Sequence, residues 1–407
     1  MLYINLILLF YLLHLNWMLL LKGENIENKW YQYCNNFNKN YSLPFEDTIR
    51  QNIFKETINF IKKHNKKFQN GLVSYDLGIN HLSDLTNYEY FQKYLQYYYY
   101  HNINNKNNKN NLYDKILKRK IQQRKIKFHQ MLPRSDIPET INWLKYGYKN
   151  KIIDQENCKN SYILASISTM EAHYYIKYKK LIQLSTNNIL KCIKRLGNFD
   201  CNIGGSIERI YQYGMLFGIP LENNIEKNNI TCRNERKSFY IKKIYISIPM
   251  INSTTTETTT TRLPSSSLSP SSSSLSSIAN ALVESKLYDM NIIQNENIII
   301  NSNEIAMQQA IAFYGPVTAA IDARLDTFRL YRGGLYYDSN CSSTLNETNH
   351  FVTVIGYGKM NDNTGKEYWL IRNSFGNDWG VNGYMFLIRN LNNHCGIGTY
   401  FIYPEVA

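Results

Sequence analysis

The stretch that decides how this chain is read is Asp154-Gln155-Glu156-Asn157-Cys158-Lys159-Asn160-Ser161-Tyr162-Ile163-Leu164-Ala165-Ser166. A polar loop carrying one cysteine gives way to an apolar run, and helical signal continues from Tyr162 to about Tyr178. Ser161 stands where that helix starts, a position at which a hydroxyl commonly caps free backbone N–H groups. Two further stretches lie downstream. One is Asn349-His350-Phe351-Val352, followed by Gly356-Tyr357-Gly358; the other is Asn373-Ser374-Phe375-Gly376, followed by Trp379-Gly380 and Gly383-Tyr384.

Working outward, 407 residues with 43% hydrophobic content leave room for more than one core. The net charge of +14 invites a nucleic-acid reading. Residues 101–130, however, hold nine Lys and Arg against one Asp, so about +8 of that charge sits in one stretch with little apolar content. It reads as a solvated segment, and no nucleic acid is expected as a partner. The apolar run from Leu6 to Leu21, with Lys22 behind it, reads as a signal peptide over residues 1–22; an uncleaved anchor is the alternative. Its length of about 16 residues falls short of the ~20 that a span needs, so no stable membrane span is expected after its removal. Asn40, Asn229, Asn252 and Asn346 head N-x-S/T sequons, which fits secretion. Residues 252–277 are rich in Ser, Thr and Pro with almost no apolar content. They read as disordered and suited to O-glycosylation, within an insertion at about 250–298.

Together the three stretches resemble papain-like cysteine proteases of the cathepsin L type, in which the first reads roughly D-Q-G-x-C-G-S-C-W-A-F-A. The second Cys of that motif is the nucleophile, and Ser161 stands in its place. The resemblance implies His350 as general base and Asn373 as the side chain that orients its ring. It implies Gln155, six residues before Ser161, as the oxyanion-hole amide. Gly204 and Gly205 match the edge along which substrate backbone docks, with Ile203 inserted into the usual C-N-G-G. Phe351 falls at the wall of the main specificity pocket and Tyr400 at its base. The fold implied is α+β: a helical left half, a β-barrel-like right half, a cleft between them and a helical pro-region ahead. No metal or cofactor is implied.

Upstream, Glu46, Arg50, Phe54, Ile61 and Asn65 match the family's pro-region signature E-x3-R-x3-F-x2-N-x3-I-x3-N, with Thr57 at the first Asn position. Gly78-Ile79-Asn80-His81-Leu82-Ser83-Asp84 resembles the G-x-N-x-F-x-D stretch of the same segment. In the family this segment covers the cleft with its chain running opposite to substrate, so the chain's own pro-region is an implied partner. The organisation expected is a signal peptide at 1–22, an inhibitory pro-region at 40–100, a basic Asn-rich linker and processing region at 101–134, and a peptidase domain at 135–407. Six of the seven cysteines lie in that last part, and an even set behind a secretory signal suggests three bridges. The resemblance selects Cys158–Cys201, Cys192–Cys232 and Cys341–Cys395, which leaves no thiol there to replace the missing nucleophile. The implied destination is secretion or the lysosomal and endosomal lumen.

A thiol, with a pKa of about 8.5, is easily made a thiolate beside an imidazole and a helix N-terminus. A serine needs its proton removed as it attacks, in a matched geometry. The surroundings also depart from the family: Glu156 for Gly, Lys159 and Asn160 for Gly-Ser, and Phe375 for the Trp that shields the Asn–His contact. Three functions follow. The first is a catalytically impaired pseudoprotease that holds a peptide or protein ligand in its cleft. The second is an active endopeptidase or serine-type hydrolase using Ser161, His350 and Asn373. The third is a secreted structural or binding protein that acts through the Ser/Thr-rich insertion. Silicateins and some parasite surface antigens share the Cys-to-Ser change on the same fold.

Overall fold

The computed structural model describes residues 26–96, 126–128, 137–196, 200–224, 232, 238–247, 250–251, 300–301, 304–362 and 364–407. The apolar N-terminal run, nearly all of the basic linker and the Ser/Thr-rich stretch lie outside these residues. Among the described residues no helix is long and apolar enough to cross a membrane.

Three helices open the described chain. α1 (Ile26–Asn36) lies on α2 (Pro44–Gln69) through Trp30, Tyr33, Phe54 and Ile58, which form a small core of their own. α2 begins at Pro44, whose missing N–H would have had no partner there. Glu46 and Asp47 in its first turn and Lys66 and Lys67 in its last complement the helix dipole. The helical signal at 45–65 corresponds to α2, and α1 extends the same unit ahead of residue 40. A strand, β1 (Tyr75–Leu77), precedes α3 (Asn87–Tyr94), which Thr86 and Glu89 close with a capping box.

The helical half is built on α4 (Ser161–Tyr178), with α5 (Thr186–Cys192) and α6 (Ile207–Leu216) against it. Every residue of α4 from Ser161 through His173 is buried, polar and apolar alike. Its core joins Ile163, Ile167 and Met170 to Ile189, Ile210 and Met215.

The β-rich half adds α7 (Glu304–Phe313) and α8 (Asp326–Arg329) to the remaining strands. These are β2 (Ile126–Phe128), β3 (Ile141–Asn142), β4 (Ile219–Pro220), β5 (Ser238–Phe239), β6 (Ile241–Ile246), β7 (Met250–Ile251) and β8 (Ile300–Asn301). They continue with β9 (Val317–Ile321), β10 (Tyr331–Tyr336), β11 (His350–Lys359), β12 (Glu367–Arg372), β13 (Tyr384–Ile388) and β14 (Phe401–Val406). Ten strands form one sheet in the order β1-β10-β13-β12-β11-β9-β14-β6-β2, with β3 paired to β11. Asn142 and Ile141 thus close the far end of β11, opposite Gly356 and Tyr357.

Two junctions position the site. The halves meet where Thr318 and Thr353 both donate to the Ala165 carbonyl of α4, at 3.2 and 3.0 Å. The pro-region joins the sheet where β1 runs antiparallel to β10, Tyr75 facing Gly334. Gly334 has φ +84°, and a Cβ there would meet the Ser74 carbonyl oxygen at 2.5 Å, so only glycine allows that pairing. The disulfides are Cys158–Cys201, Cys192–Cys232 and Cys341–Cys395, closing loops of 43, 40 and 54 residues. Each would stabilise the fold by about 3–4 kcal/mol through the entropy of the unfolded chain.

Candidate active site

His350 opens β11 and Asn373 follows directly on β12; the antiparallel pairing of those strands brings the two side chains together. His350 Nε2 lies 2.8 Å from Asn373 Oδ1. A neutral imidazole donating there keeps its proton on Nε2 and leaves Nδ1 as an acceptor. Nδ1 is buried and has no hydrogen-bond partner among the described residues. Burial pushes the imidazole down to about 4, with the Asn373 contact acting the other way. The Phe375 ring packs 4.9 Å from the His350 ring and is itself fully buried. Phe375 therefore shields the contact despite being smaller than the indole it replaces.

Ser161 is the first residue of α4, and its Oγ accepts from the Phe351 N–H at 3.3 Å. The N-cap position expected for it belongs instead to Asn160, which makes no side-chain capping bond. From the first helical residue the hydroxyl reaches across to β11, where a strand N–H needs an acceptor. It makes no hydrogen bond to His350 Nδ1.

Gln155 is held by Ser374 at both ends: its N–H donates to the Ser374 carbonyl at 2.8 Å, and Ser374 Oγ donates to its Oε1 at 2.8 Å. That leaves Nε2 to donate to two carbonyls, Cys158 and Tyr94, each at 2.9 Å. Tyr94 ends α3, so a pro-region carbonyl occupies the donor that the sequence assigns to an oxyanion. Two residues on, the Gln96 N–H donates to the Asn349 carbonyl at 3.0 Å, and Gln96 Oε1 accepts from the Gly205 N–H at 3.1 Å. Gly204 has φ +88°, and a Cβ there would meet Gln96 Oε1 at 2.5 Å. The Gly205 N–H is thus taken up by the Gln96 side chain. The inserted Ile203 beside these glycines is 43% exposed.

Lys159 and Asn160 add no exposed bulk to the cleft floor; they are 4% and 7% exposed. The Lys159 N–H donates to the Cys201 carbonyl at 2.9 Å, and burial lowers the pKa of its ammonium while Asp200 opposes the shift. Phe351 and Tyr400 are both buried and pack into the core of the helical half with Ile207 and Leu345. The Tyr400 hydroxyl donates to Glu208, as does the Ser206 hydroxyl.

Sequence reasoning did not single out Glu171, which lines a small cavity behind the site with Ser168, Thr353, Arg372 and Asn373. Its carboxylate accepts from Asn150 Nδ2 at 2.6 Å and the Leu184 N–H at 2.8 Å, and burial raises it to about 7. A single acid among the small and apolar residues Ala165-Ser166-Ile167-Ser168-Thr169-Met170-Glu171-Ala172 is the signal that would have found it.

Chemically, the arrangement offers an extended backbone three anchors: the Gln155 amide, the Gly205 N–H and the Asn349 carbonyl. It holds a neutral imidazole with a free acceptor nitrogen, but no thiolate and no hydroxyl bonded to that nitrogen.

Residues 137–405 match the papain family cysteine protease domain, and residues 30–90 match the cathepsin propeptide inhibitor domain. Cathepsin L of Sarcophaga peregrina is 29% identical over 384 residues, which cover 94% of this chain and 93% of that protein. Cathepsin J of Mus musculus is 28% identical over 388 residues, covering 94% and 92%. Among solved structures, the digestive procathepsin L 3 of Tenebrio molitor larval midgut superposes with a TM-score of 0.66 at 25% identity, covering 94% of this chain and all of that one. This chain therefore belongs to the papain family of cysteine proteases, as a cathepsin L-like member with a propeptide inhibitor domain ahead of the peptidase domain.

Proposed function

We propose that this chain is a cathepsin L-type pseudoprotease: a secreted or lysosomal protein that binds an extended peptide in its cleft without cutting it. The observation that carries this reading is the state of Ser161. Its Oγ accepts from the Phe351 N–H at 3.3 Å, while His350 Nδ1 has no hydrogen bond among the described residues. A serine nucleophile depends on a base placed to take its proton as it attacks. Gln155 and Gly205 retain the donors that hold a peptide backbone, and the pro-region uses both. In this reading Ser161, His350, Asn373 and Gln155 keep the family's positions, Gly204 and Gly205 form the docking edge, with Phe351 and Tyr400 filling the core beneath it, and cutting within 101–134 uncovers it.

The test is made on the full chain after proteolytic removal of its pro-region. Peptides are added, binding is followed by calorimetry and peptide integrity by mass spectrometry, with a fluorophosphonate as serine probe. The expected outcome is saturable binding of intact peptide and no label on Ser161. Labelling of Ser161 that disappears in His350→Ala would instead favour the serine-type hydrolase.

A further inference from the structure

The docked segment Tyr94-Leu95-Gln96 meets the cleft with two main-chain groups and one side chain. The Tyr94 carbonyl accepts from Gln155 Nε2 at 2.9 Å, and the Gln96 N–H donates to the Asn349 carbonyl at 3.0 Å. The third anchor, the buried Gly205 N–H, is met by the Gln96 side chain, whose Oε1 accepts at 3.1 Å. The stem of Gln96 lies across Gly204: a Cβ there would meet Gln96 Oε1 at 2.5 Å and Gln96 Cβ at 2.7 Å. Gln96 is itself buried, so the contact is made away from water, where a donor without an acceptor is costly.

The apolar residue of the segment turns elsewhere. Leu95 is fully buried in the core of the β-rich half, with Tyr90, Tyr94 and Phe375. Phe351 and Tyr400, which the resemblance places at the wall and base of the main specificity pocket, belong to the other core, with Ile207, Ala320 and Leu345. They are 7% and 9% exposed, and the Tyr400 hydroxyl is turned to Glu208. Two aromatic side chains therefore take up space that a bulky apolar side chain of a ligand would need.

We infer that this cleft selects its ligand by a glutamine: an extended segment that lays a Gln side chain across Gly204 and sets its amide oxygen on the Gly205 N–H. The inference rests on the peptide-binding reading above and names the class of peptide. Both length and chemistry enter the choice. Asn is one methylene shorter and falls short of Gly205. Met keeps the shape, but its sulfur is a weak acceptor. Leu offers no acceptor, and Glu brings a charge into a buried contact.

The first measurement is made on the full chain. Hydrogen exchange at the Gly205 amide is compared between wild type, Gln96→Met and Gln96→Leu, with thermal melts to check that all three fold. Exchange is expected to be about tenfold faster in both variants, since each leaves a buried N–H without its acceptor. The second measurement uses the chain freed of its pro-region and a synthetic peptide of residues 90–96, with Gln, Met or Leu at the last position. Calorimetry is expected to show the Gln peptide binding about tenfold tighter than the other two. Equal binding by the three peptides would overturn the inference and leave peptide binding standing. Tightest binding by the Leu peptide would overturn it as well and give the selection to an apolar pocket. Failure of every peptide to bind would refute the binding reading and this inference with it. Unchanged Gly205 exchange in both full-chain variants would overturn the glutamine contact on its own.

Discussion

At the scale of single residues, Ser161 and His350 share one site, yet no hydrogen bond joins the Ser161 hydroxyl to His350 Nδ1. His350, Asn373 and Gln155 are legible in the sequence because each sits inside a short local pattern whose spacing the fold preserves. The bond that redefines Ser161 is not legible, since its partner Phe351 lies 190 residues away and meets it only once both halves have folded. Gly205 is similar: its glycine is readable, but the reason is tertiary, because a Cβ there would meet the Tyr162 ring at 2.4 Å. Gly205→Ala is expected to destabilise the chain by about 1–3 kcal/mol and to loosen the Gln96 contact. Urea unfolding together with protease sensitivity of the pro-region checks this; an unchanged midpoint would contradict it.

At the scale of elements, a charged contact ties α2 to α3 within the pro-region. Arg50 on α2 meets Glu89 on α3 with two bonds of 2.7 and 2.6 Å, and Glu89 also closes the cap on Thr86. Burial would raise the Glu89 carboxyl, but the bonds from Arg50 and Thr86 bring it down to about 2. A carboxylate depressed in this way adds stability that is present above its ordinary value near 4.5 and is lost as pH falls towards 2. Glu89→Gln should cost about 2 kcal/mol at neutral pH and speed amide exchange across α3, releasing the Tyr94 carbonyl from Gln155. Unaltered exchange in α3 would count against this role. The helix at 45–65 is legible from its signature, whereas α1 is not. Its apolar residues Ile26, Trp30 and Tyr33 recur at helical spacing, but polar neighbours dilute the pattern, and its burial depends on Phe54 of α2.

At the scale of the whole molecule, buried histidines set the response to acid. Burial pushes His173, His350 and His394 each down to about 4. Because the unfolded chain takes up those protons near 6.5, the stability they preserve is complete above that value and is lost as pH falls towards 4. Glu171, raised to about 7, works in the opposite direction: its contribution is present below about 4.5 and lost as pH rises through 7. Burial lowers His64 and His81 as well, so five groups against one predict a melting temperature that falls from pH 6.5 to pH 4, with a shallower fall in His394→Gln. A profile flat over that range, by calorimetry, would contradict it.

The central claim is that the loss of the thiol, more than the loss of the cleft, silences this protein. Its most direct test is peptide hydrolysis by the chain freed of its pro-region, compared with Ser161→Cys and with Ser161→Cys carrying His350→Ala. Wild type should stay at or below the residual ~10³–10⁴ over water that an oxyanion hole and binding alone supply. Ser161→Cys should gain activity and covalent labelling by a thiol-directed epoxide, and both should vanish when His350 is removed. A wild type as fast as its Cys variant, and equally dependent on His350, would contradict the account and make Ser161 a working nucleophile.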